Sequence, residues 1–122
     1  MIDLDVAIKG MGTAQDALRG SIANPTVLSE QMMRLSQYVG IVDEHLAGIE
    51  KEYEVTLMAK IKKNIDDFDM KVTPAETMAK MEMAEIKGQI LYLTRLSSSS
   101  WRQVGVVQSR VKHLTEESKT NI

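Results

Sequence analysis

The chain has 122 residues, a net charge of −2 and 43% hydrophobic residues, but only 4% aromatic residues and no cysteine. This length suits one domain, or one helical hairpin with a short arm. The hydrophobic fraction counts against disorder throughout, and the scarcity of aromatic and turn residues counts against a β-sandwich or barrel. The lack of cysteine excludes disulfide scaffolds, Cys-ligated zinc and thiol catalysis. Nine methionines, with many Ala, Leu, Lys and Glu residues, predict an all-α protein.

The sequence shows no sign of membrane insertion or secretion. No apolar run approaches the roughly 18 residues of a membrane span. Asp3 and Asp5 stand where a signal peptide would carry Lys or Arg. We therefore expect a cytoplasmic protein without membrane contact.

Charge is distributed unevenly along the chain. The 12 acids and 7 bases of residues 1–70 give −5, whereas the 5 acids and 8 bases of residues 71–122 give +3. Between Ile86 and Thr115 there are bases but no Asp or Glu. A stretch of one sign and of this length usually faces an anion or an acidic neighbouring helix.

Residues 1–24 are predicted to form an N-terminal helical arm, helical from about Asp3 to Arg19. A mostly apolar stripe recurs at steps of three and four and comprises Leu4, Ile8, Met11, Gln15, Leu18 and Ile22. Three glycines weaken this helix: Gly10, Gly12 and Gly20. We therefore expect it to need a partner on which to dock.

A long helix is predicted over residues 25–64. Asn24 suits the N-cap and Pro25 suits the first helical position. The apolar residues that follow have an alternating spacing of four and three, which is typical of a coiled-coil seam: Leu28, Met32, Leu35, Val39, Val42, Leu46, Ile49 and Tyr53. After Tyr53 the apolar stripe drifts to Leu57, Ile61 and Ile65.

A second long helix is predicted over residues 74–117, with residues 119–122 as a tail. Thr73 and Glu76 form a capping-box pattern around Pro74. The seam then runs through Ala79, Met83, Ile86, Ile90, Leu93, Ser97, Ser100, Val104, Val107, Val111 and Leu114. Because the spacing is kept across Ser97–Ser100, we expect one continuous helix there.

The two seams predict an antiparallel coiled-coil hairpin over residues 25–118, with Leu35 near Val107 and Ile49 near Leu93. The weakest layers are those of Ser97 and Ser100, and Gly40 and Gly48 flank them on the first helix of the hairpin. Small residues there would allow close approach, or leave room for a third helix from the N-terminal arm or another subunit. A two-helix hairpin buries too little surface to stand alone, so we expect a homo-oligomer. Further apolar side chains are expected to lie partly outside the two-helix contact: Leu57, Ile61, Ile65, Met78, Met81 and Val106.

Catalytic and metal-binding patterns are missing from the sequence. His45 and His113 lie on different predicted helices, and a lone helical His is far more often a surface or packing residue than a base or ligand. The acids that follow Asn64 lack the Gly and Glu of a calcium loop. We expect no enzyme activity, no metal and no cofactor.

The remaining chemistry is positive charge. One cluster ends the first hairpin helix and a second set recurs every seven or eight residues on one broad face of the next: Lys60, Lys62 and Lys63, then Lys80, Lys87, Arg95 and Arg102. One interpretation is a solvated face paired with Asp43, Glu44, Glu50, Glu52 and Glu54. The other is a track that binds phosphates. Only Tyr92 and Trp101 accompany the track, so base stacking would be minor.

The central stretch resembles the UvsY-type recombination mediators of tailed bacteriophages. The matching residues are Ile49, Glu50, Val55, Leu57, Ala59, Lys60 and Ile61, in the string IEKEYEVTLMAKIKKN, and the later string ending SRVKHL is similar to the family's C-terminal helix. Of the family's basic pair, Lys60 is kept and Met58 stands at the first position. Lys62 and Lys63 are candidates to compensate.

This resemblance implies a ring-forming helical oligomer that binds single-stranded DNA. It would load a RecA-like recombinase onto strands coated by single-strand-binding protein, in the cytoplasm of the host cell if a phage encodes it. The alternative is a phage structural, assembly or host-defence-blocking protein whose hairpin binds protein and not DNA. A third interpretation is a helical oligomer that captures small anions such as nucleotides at Lys60–Lys63.

Overall fold

The computed structural model describes residues 3–20 and 24–120, and these residues form four α-helices with no strand among them. The helices are α1 (Leu4–Gly20), α2 (Pro25–Phe68), α3 (Val72–Glu82) and α4 (Ala84–Thr120). The all-α prediction is confirmed. The chain divides into two compact units. The terminal unit comprises Met1–Glu44 and Arg95–Ile122, and the central unit comprises His45–Thr94.

Helix α1 buries a stripe that differs slightly from the predicted one. Its buried residues are Ala7, Met11, Ala14 and Leu18. Leu4, Ile8 and Gln15 of the predicted stripe are half-buried, and Ile22 lies outside the described residues. The buried stripe thus combines the small Ala7 and Ala14 with the larger Met11 and Leu18, while Leu4 and Ile8 lie at its edges.

The N-terminal arm is the third helix of the terminal unit. Gly10 lies against the Tyr38 ring of α2. On α4, Ser100 accepts a hydrogen bond from the Gln15 side-chain amide at 3.0 Å. Gly40 and Gly48, which were expected either to permit close approach or to leave room for another helix or subunit, both have open surroundings.

Helix α2 begins as predicted. The Asn24 side-chain oxygen accepts from the backbone amides of Thr26 and Val27 at 3.1 and 3.3 Å, which satisfies two amides that have no partner inside the helix. Five residues of its predicted seam are buried: Leu28, Leu35, Val39, Val42 and Tyr53. Met32, Leu46 and Ile49 are half-buried.

The end of α2 corrects the prediction that it stops near Asn64. Asn64 is only 4% exposed, and its side-chain amide donates to the Ala75 carbonyl at 3.2 Å. This polar side chain is thus satisfied inside the central unit, and the helix continues past it to Phe68. Asp69 then takes a left-handed backbone conformation, with φ 53°, and ends the helix.

The start of the next helix also differs from the prediction. Helix α3 begins at Val72, and its N-cap residue Lys71 makes no side-chain capping hydrogen bond. The predicted capping box of Thr73 and Glu76 is therefore wrong, because Thr73 already lies inside the helix. Pro74 is tolerated in the first turn, where its missing N–H has no partner inside the helix.

The predicted single helix over residues 74–117 is divided at Met83 and not at the serines. Met83 has φ −96° and ψ 6° and separates α3 from α4. The Met83 amide still donates to Ala79 at 3.1 Å, and the Lys87 amide donates to Met83 at 3.0 Å. The row of i→i−4 backbone hydrogen bonds is thus distorted at Met83 but not broken. Helix α4 continues through Ser97–Ser100 to Thr120, while residues 121–122 of the predicted tail lie outside the described residues.

The central unit has its own hydrophobic core. The cluster contains Tyr53, Leu57, Ala79, Met83 and Ile90, with Leu46, Ile49 and Ile61 packed against it. Leu57 was expected to lie partly outside the helix contact. This is wrong, because Leu57 is buried in the same cluster as Ala79 of α3. Ile86, by contrast, leaves the predicted seam and is 39% exposed after the irregular turn at Met83.

Within residues 3–20 and 24–120, no helix is both long and apolar enough to cross a membrane.

Candidate nucleic-acid interface

The first predicted basic cluster lies on the last turns of α2, in the central unit. Lys60 is half-buried, and its Nζ lies 3.1 Å from Oε2 of Glu82 on α3. Lys62 and Lys63 are exposed and form no ion pair with any residue that the structure describes. One lysine of the cluster is therefore held by an acid, and two are available to an external anion.

Two more predicted residues of the central unit lie on α3 and α4. Lys80 is exposed and has no ion-pair partner among the described residues. The Lys87 Nζ lies 5.3 Å from the centroid of the Tyr53 ring, within the range of a cation–π contact. Lys87 thus covers the hydrophobic core while its charge stays near the surface.

Arg95 and Arg102 belong to α4 in the terminal unit. Both guanidinium groups are on exposed residues, and neither forms an ion pair within the described part of the chain. Arg102 directly follows the indole of Trp101, which is 43% exposed. The terminal unit thus carries two of the seven predicted basic residues, and the central unit carries the five lysines.

Asp43 on α2 has a different role from the predicted one. One of the two interpretations has Asp43 neutralise the basic face, but its two carboxylate oxygens accept hydrogen bonds from uncharged donors of α4. Oδ1 accepts from the Ser97 hydroxyl, and Oδ2 accepts from the Trp101 indole Nε1 at 2.9 Å. The arginines of α4 therefore keep their charge unpaired.

The other four acids of the paired-face interpretation likewise form no ion pair with the seven basic residues in the described part of the chain. Among the described residues, none of these acids lies within ion-pair distance of the predicted track: Glu44, Glu50, Glu52 and Glu54. The one pair that does involve the track joins Lys60 to Glu82, which was not in the expected acidic set. Internal neutralisation of the basic face is thus limited to one lysine.

A groove of about 560 Å³ runs beside Lys80 and Lys87 in the central unit. Its wall and floor are formed mainly by apolar or small residues, with one acid on the rim: Tyr53, Glu54, Leu57, Ala84, Gly88 and Leu91. This groove could not be predicted from the sequence, because it depends on how α2 packs against α3 and α4.

The remaining polar candidates have structural partners. The Nε2 atom of His113 lies 3.1 Å from Oε1 of Glu117 on the exposed face of α4. Ser97 and Ser100 are buried, and their hydroxyls bond Asp43 and Gln15. In the ranges that the structure describes, no group of three His, Asp or Glu residues is arranged to hold a metal ion.

Comparisons of the chain with protein-family models, with curated proteins and with solved structures give no match. Function is therefore inferred from the exposed basic residues and from the resemblance of residues 49–61.

Proposed function

We propose that this protein is an oligomeric, single-stranded-DNA-binding accessory protein of recombination, without an enzymatic activity of its own. The observation that carries the proposal is the unpaired state of the basic residues. Five of the seven are exposed and form no ion pair or ring contact with the described residues: Lys62, Lys63, Lys80, Arg95 and Arg102. A nucleic acid would supply the missing anions as a row of phosphates.

Phosphate binding suits these side chains for physical reasons. A bound cation releases condensed counterions from the strand, which makes binding favourable and sensitive to salt. Arginine adds a planar fork of donors that matches two phosphate oxygens at once. Because the basic residues recur along helices, contacts would follow a strand backbone without reading its sequence.

The proposed assembly is an antiparallel hairpin of α2 against α3 and α4, with Leu35 near Val107 and Ile49 near Leu93. Contacts in the central unit support this direction. Successive residues of α2 meet progressively earlier residues of the later helices, in the pairs Tyr53–Lys87, Lys60–Glu82 and Asn64–Ala75. We further propose that several hairpins associate side by side, in the form of a ring.

Association between copies would cover apolar side chains that the chain itself leaves exposed. In the central unit these include Val55, Met58, Met78 and Met81, which are 42–73% exposed. Exposed apolar area of this kind marks interaction surfaces. A ring would also repeat the basic residues along one strand, so that each weak contact adds to the next.

The specific role in recombination comes from the sequence resemblance. Like the UvsY-type mediators, the protein would help to load a RecA-like recombinase onto strands coated by single-strand-binding protein. That work takes place in the cytoplasm, and in the host cell's cytoplasm if a phage encodes the chain.

Binding of a short fluorescent oligothymidylate, measured across a salt series, tests the DNA-binding proposal. We expect affinity to fall steeply with salt. The variant Arg95→Ala/Arg102→Ala should reduce the magnitude of the log–log salt slope by about 1.4, at about 0.7 per lost phosphate contact. The matched control is Lys9→Ala/Arg34→Ala, which removes two exposed cations outside the track. Equal slopes for both variants would remove the arginines from the site.

The second candidate function is a protein-binding oligomer in phage assembly or in blocking host defence. The exposed apolar residues of the central unit favour it, because they suit a protein surface as well as a second copy. If the wild-type protein shows no salt-sensitive binding to single-stranded DNA, this second candidate is the better account.

A further inference from the structure

We propose that Trp101 is a stacking platform for one unpaired nucleobase. This inference rests on the proposed binding of single-stranded DNA, and it adds a contact to the base itself. The sequence pattern predicts binding through charge with little stacking. The structure instead holds the chain's one tryptophan at the surface, within the acid-free part of α4.

The first step of the argument is the hydrogen bond on the edge of the indole. Nε1 of Trp101 donates to Oδ2 of Asp43 at 2.9 Å, which leaves no polar group of the side chain unsatisfied. The other oxygen of Asp43 accepts from Ser97, a buried residue of the same helix as Trp101. Both oxygens of the carboxylate are thus engaged, and the carboxylate holds the indole in one orientation.

The second step is the space around the ring. Gly105 lies one turn after Trp101 on α4, and Gly40 lies three residues before Asp43 on α2. A Cβ atom added to either glycine would meet no heavy atom within 4 Å, leaving aside atoms of the glycine's own helix backbone and chain neighbours. Ser98, one turn before Trp101, is small and exposed. Small residues thus stand one turn before and one turn after Trp101 on α4, and the surroundings of Gly105 and Gly40 are open.

The third step is charge. Arg102 follows Trp101 directly, while Arg95 and Lys112 lie about 9 and 16 Å away along the helix axis, at 1.5 Å per residue. All three are exposed and have no ion-pair partner among the described residues. The facing acids of α2 are Asp43, which is engaged by the two donors, and the exposed Glu44. Phosphates on either side of a stacked base would meet these cations.

These surroundings favour a nucleobase over a protein side chain. A tryptophan at the centre of a protein interface usually sits in a well-packed pocket that excludes water. Trp101 is instead 43% exposed, with Ser98 and Gly105 one turn away on its helix and Arg102 next in the chain. An aromatic ring beside cations is the arrangement by which single-strand-binding proteins stack bases without regard to sequence.

Fluorescence of Trp101 provides a direct readout, because no other tryptophan contributes. The probe is a short oligothymidylate, and its control is an abasic oligomer with the same number of phosphates. We expect the oligothymidylate to quench the tryptophan fluorescence at saturation and the abasic oligomer to leave it nearly unchanged. Equal quenching by both oligomers would overturn the stacking proposal while leaving phosphate binding intact.

Affinity measurements with substituted proteins provide the second test. Trp101→Ala should weaken binding of the oligothymidylate about 5- to 150-fold, the range that corresponds to the loss of one stacked base. It should leave the salt slope and the affinity for the abasic oligomer unchanged. Trp101→Leu keeps apolar bulk but lacks an aromatic face, and it should behave in the same way. It serves as the control for a loss of folding in Trp101→Ala.

Tyr92→Ala is the matched control, since Tyr92 is an exposed aromatic residue of the same helix with no side-chain hydrogen bond among the described residues. It should retain wild-type affinity. Wild-type affinity in folded Trp101→Leu would refute the stacking role. Absence of any salt-sensitive binding in the wild-type protein would instead refute the proposed function, and the stacking role with it.

Discussion

Gly10 of α1 and Tyr38 of α2 meet so closely that a Cβ atom on Gly10 would lie 2.5 Å from the tyrosine ring. The sequence alone indicated that Gly10 only weakens its helix. The structure shows that the missing side chain is what allows α1 to approach α2 at this level. Gly12, two residues later, has open surroundings and makes no such approach.

The first prediction compares alanine substitutions at these two glycines. Gly12→Ala should stabilise the fold by about 0.5–1 kcal/mol, since alanine suits a helix interior better than glycine and meets nothing there. Gly10→Ala should destabilise it, because the new methyl group must displace the Tyr38 ring. Urea denaturation followed by circular dichroism measures both effects.

Introducing Gly10→Ala into the Tyr38→Ala variant tests whether the tyrosine ring causes the loss of stability. Once the ring is gone, Gly10→Ala should stabilise the protein much as Gly12→Ala does. A Gly10→Ala substitution that destabilises equally in both backgrounds would show that contact with Tyr38 is not the reason.

The second prediction concerns the run Ser97–Ser100 of α4, in which the first and last serines are buried and the middle two are exposed. Ser98→Ala and Ser99→Ala should each raise stability by about 0.5 kcal/mol, since both residues are exposed and alanine is the better helix former. Ser100→Ala should lower stability by about 1 kcal/mol, because it leaves the Gln15 amide without its acceptor. Thermal unfolding of the three single variants gives the order of their stabilities. A stabilising Ser100→Ala would contradict the structural role of the Ser100–Gln15 hydrogen bond.

The seams of α2 and α4 could be predicted from sequence because burial follows a local periodicity. Leu35, Val39, Leu93 and Val104 are buried where the spacing placed them. The distortion at Met83 could not be predicted in this way. Its position depends on a core that joins α2, α3 and α4, and the heptad spacing runs through it unchanged.

The candidate site was likewise predictable only in part. Exposure of Lys62, Lys63 and Arg102 follows from their position away from the seam. The bond between Asp43 and Trp101 spans 58 residues of sequence, and no spacing rule relates the two. The sequence signal was the single tryptophan in an acid-free stretch, which marked a residue of interest without naming its partner.

The third prediction concerns assembly. We expect light scattering at micromolar concentration to give a mass above the 13.6 kDa of one chain. Met58→Glu/Met81→Glu should lower this mass, because these side chains are 64% and 73% exposed and a second copy would cover them. The control is Lys62→Glu/Lys63→Glu, which also introduces two acids in the central unit but on polar positions. A mass of 13.6 kDa for the wild-type protein would rule out the oligomer.

The fourth prediction tests the unpaired lysines of α2. Lys62→Ala/Lys63→Ala should reduce the magnitude of the salt slope for oligothymidylate binding by about 1.4, which corresponds to two lost phosphate contacts. Folding should be unaffected, since both lysines are exposed and make no ion pair with the described residues. Lys60→Ala alone should change the slope less, because Glu82 already holds Lys60 at 3.1 Å. An unchanged slope in the folded double variant would remove this cluster from the DNA site.

The last prediction follows from the same ion pair. Glu82→Gln removes the acid that competes with phosphate for Lys60, so we expect stronger binding and a salt slope larger in magnitude by about 0.7, the contribution of one added phosphate contact. Glu85→Gln is the matched control, because it removes the same charge from an exposed acid that forms no ion pair with the described residues. A general reduction of negative charge would strengthen binding equally in both variants. Release of Lys60 would instead favour Glu82→Gln alone, and adding Lys60→Ala to that variant would then abolish the gain.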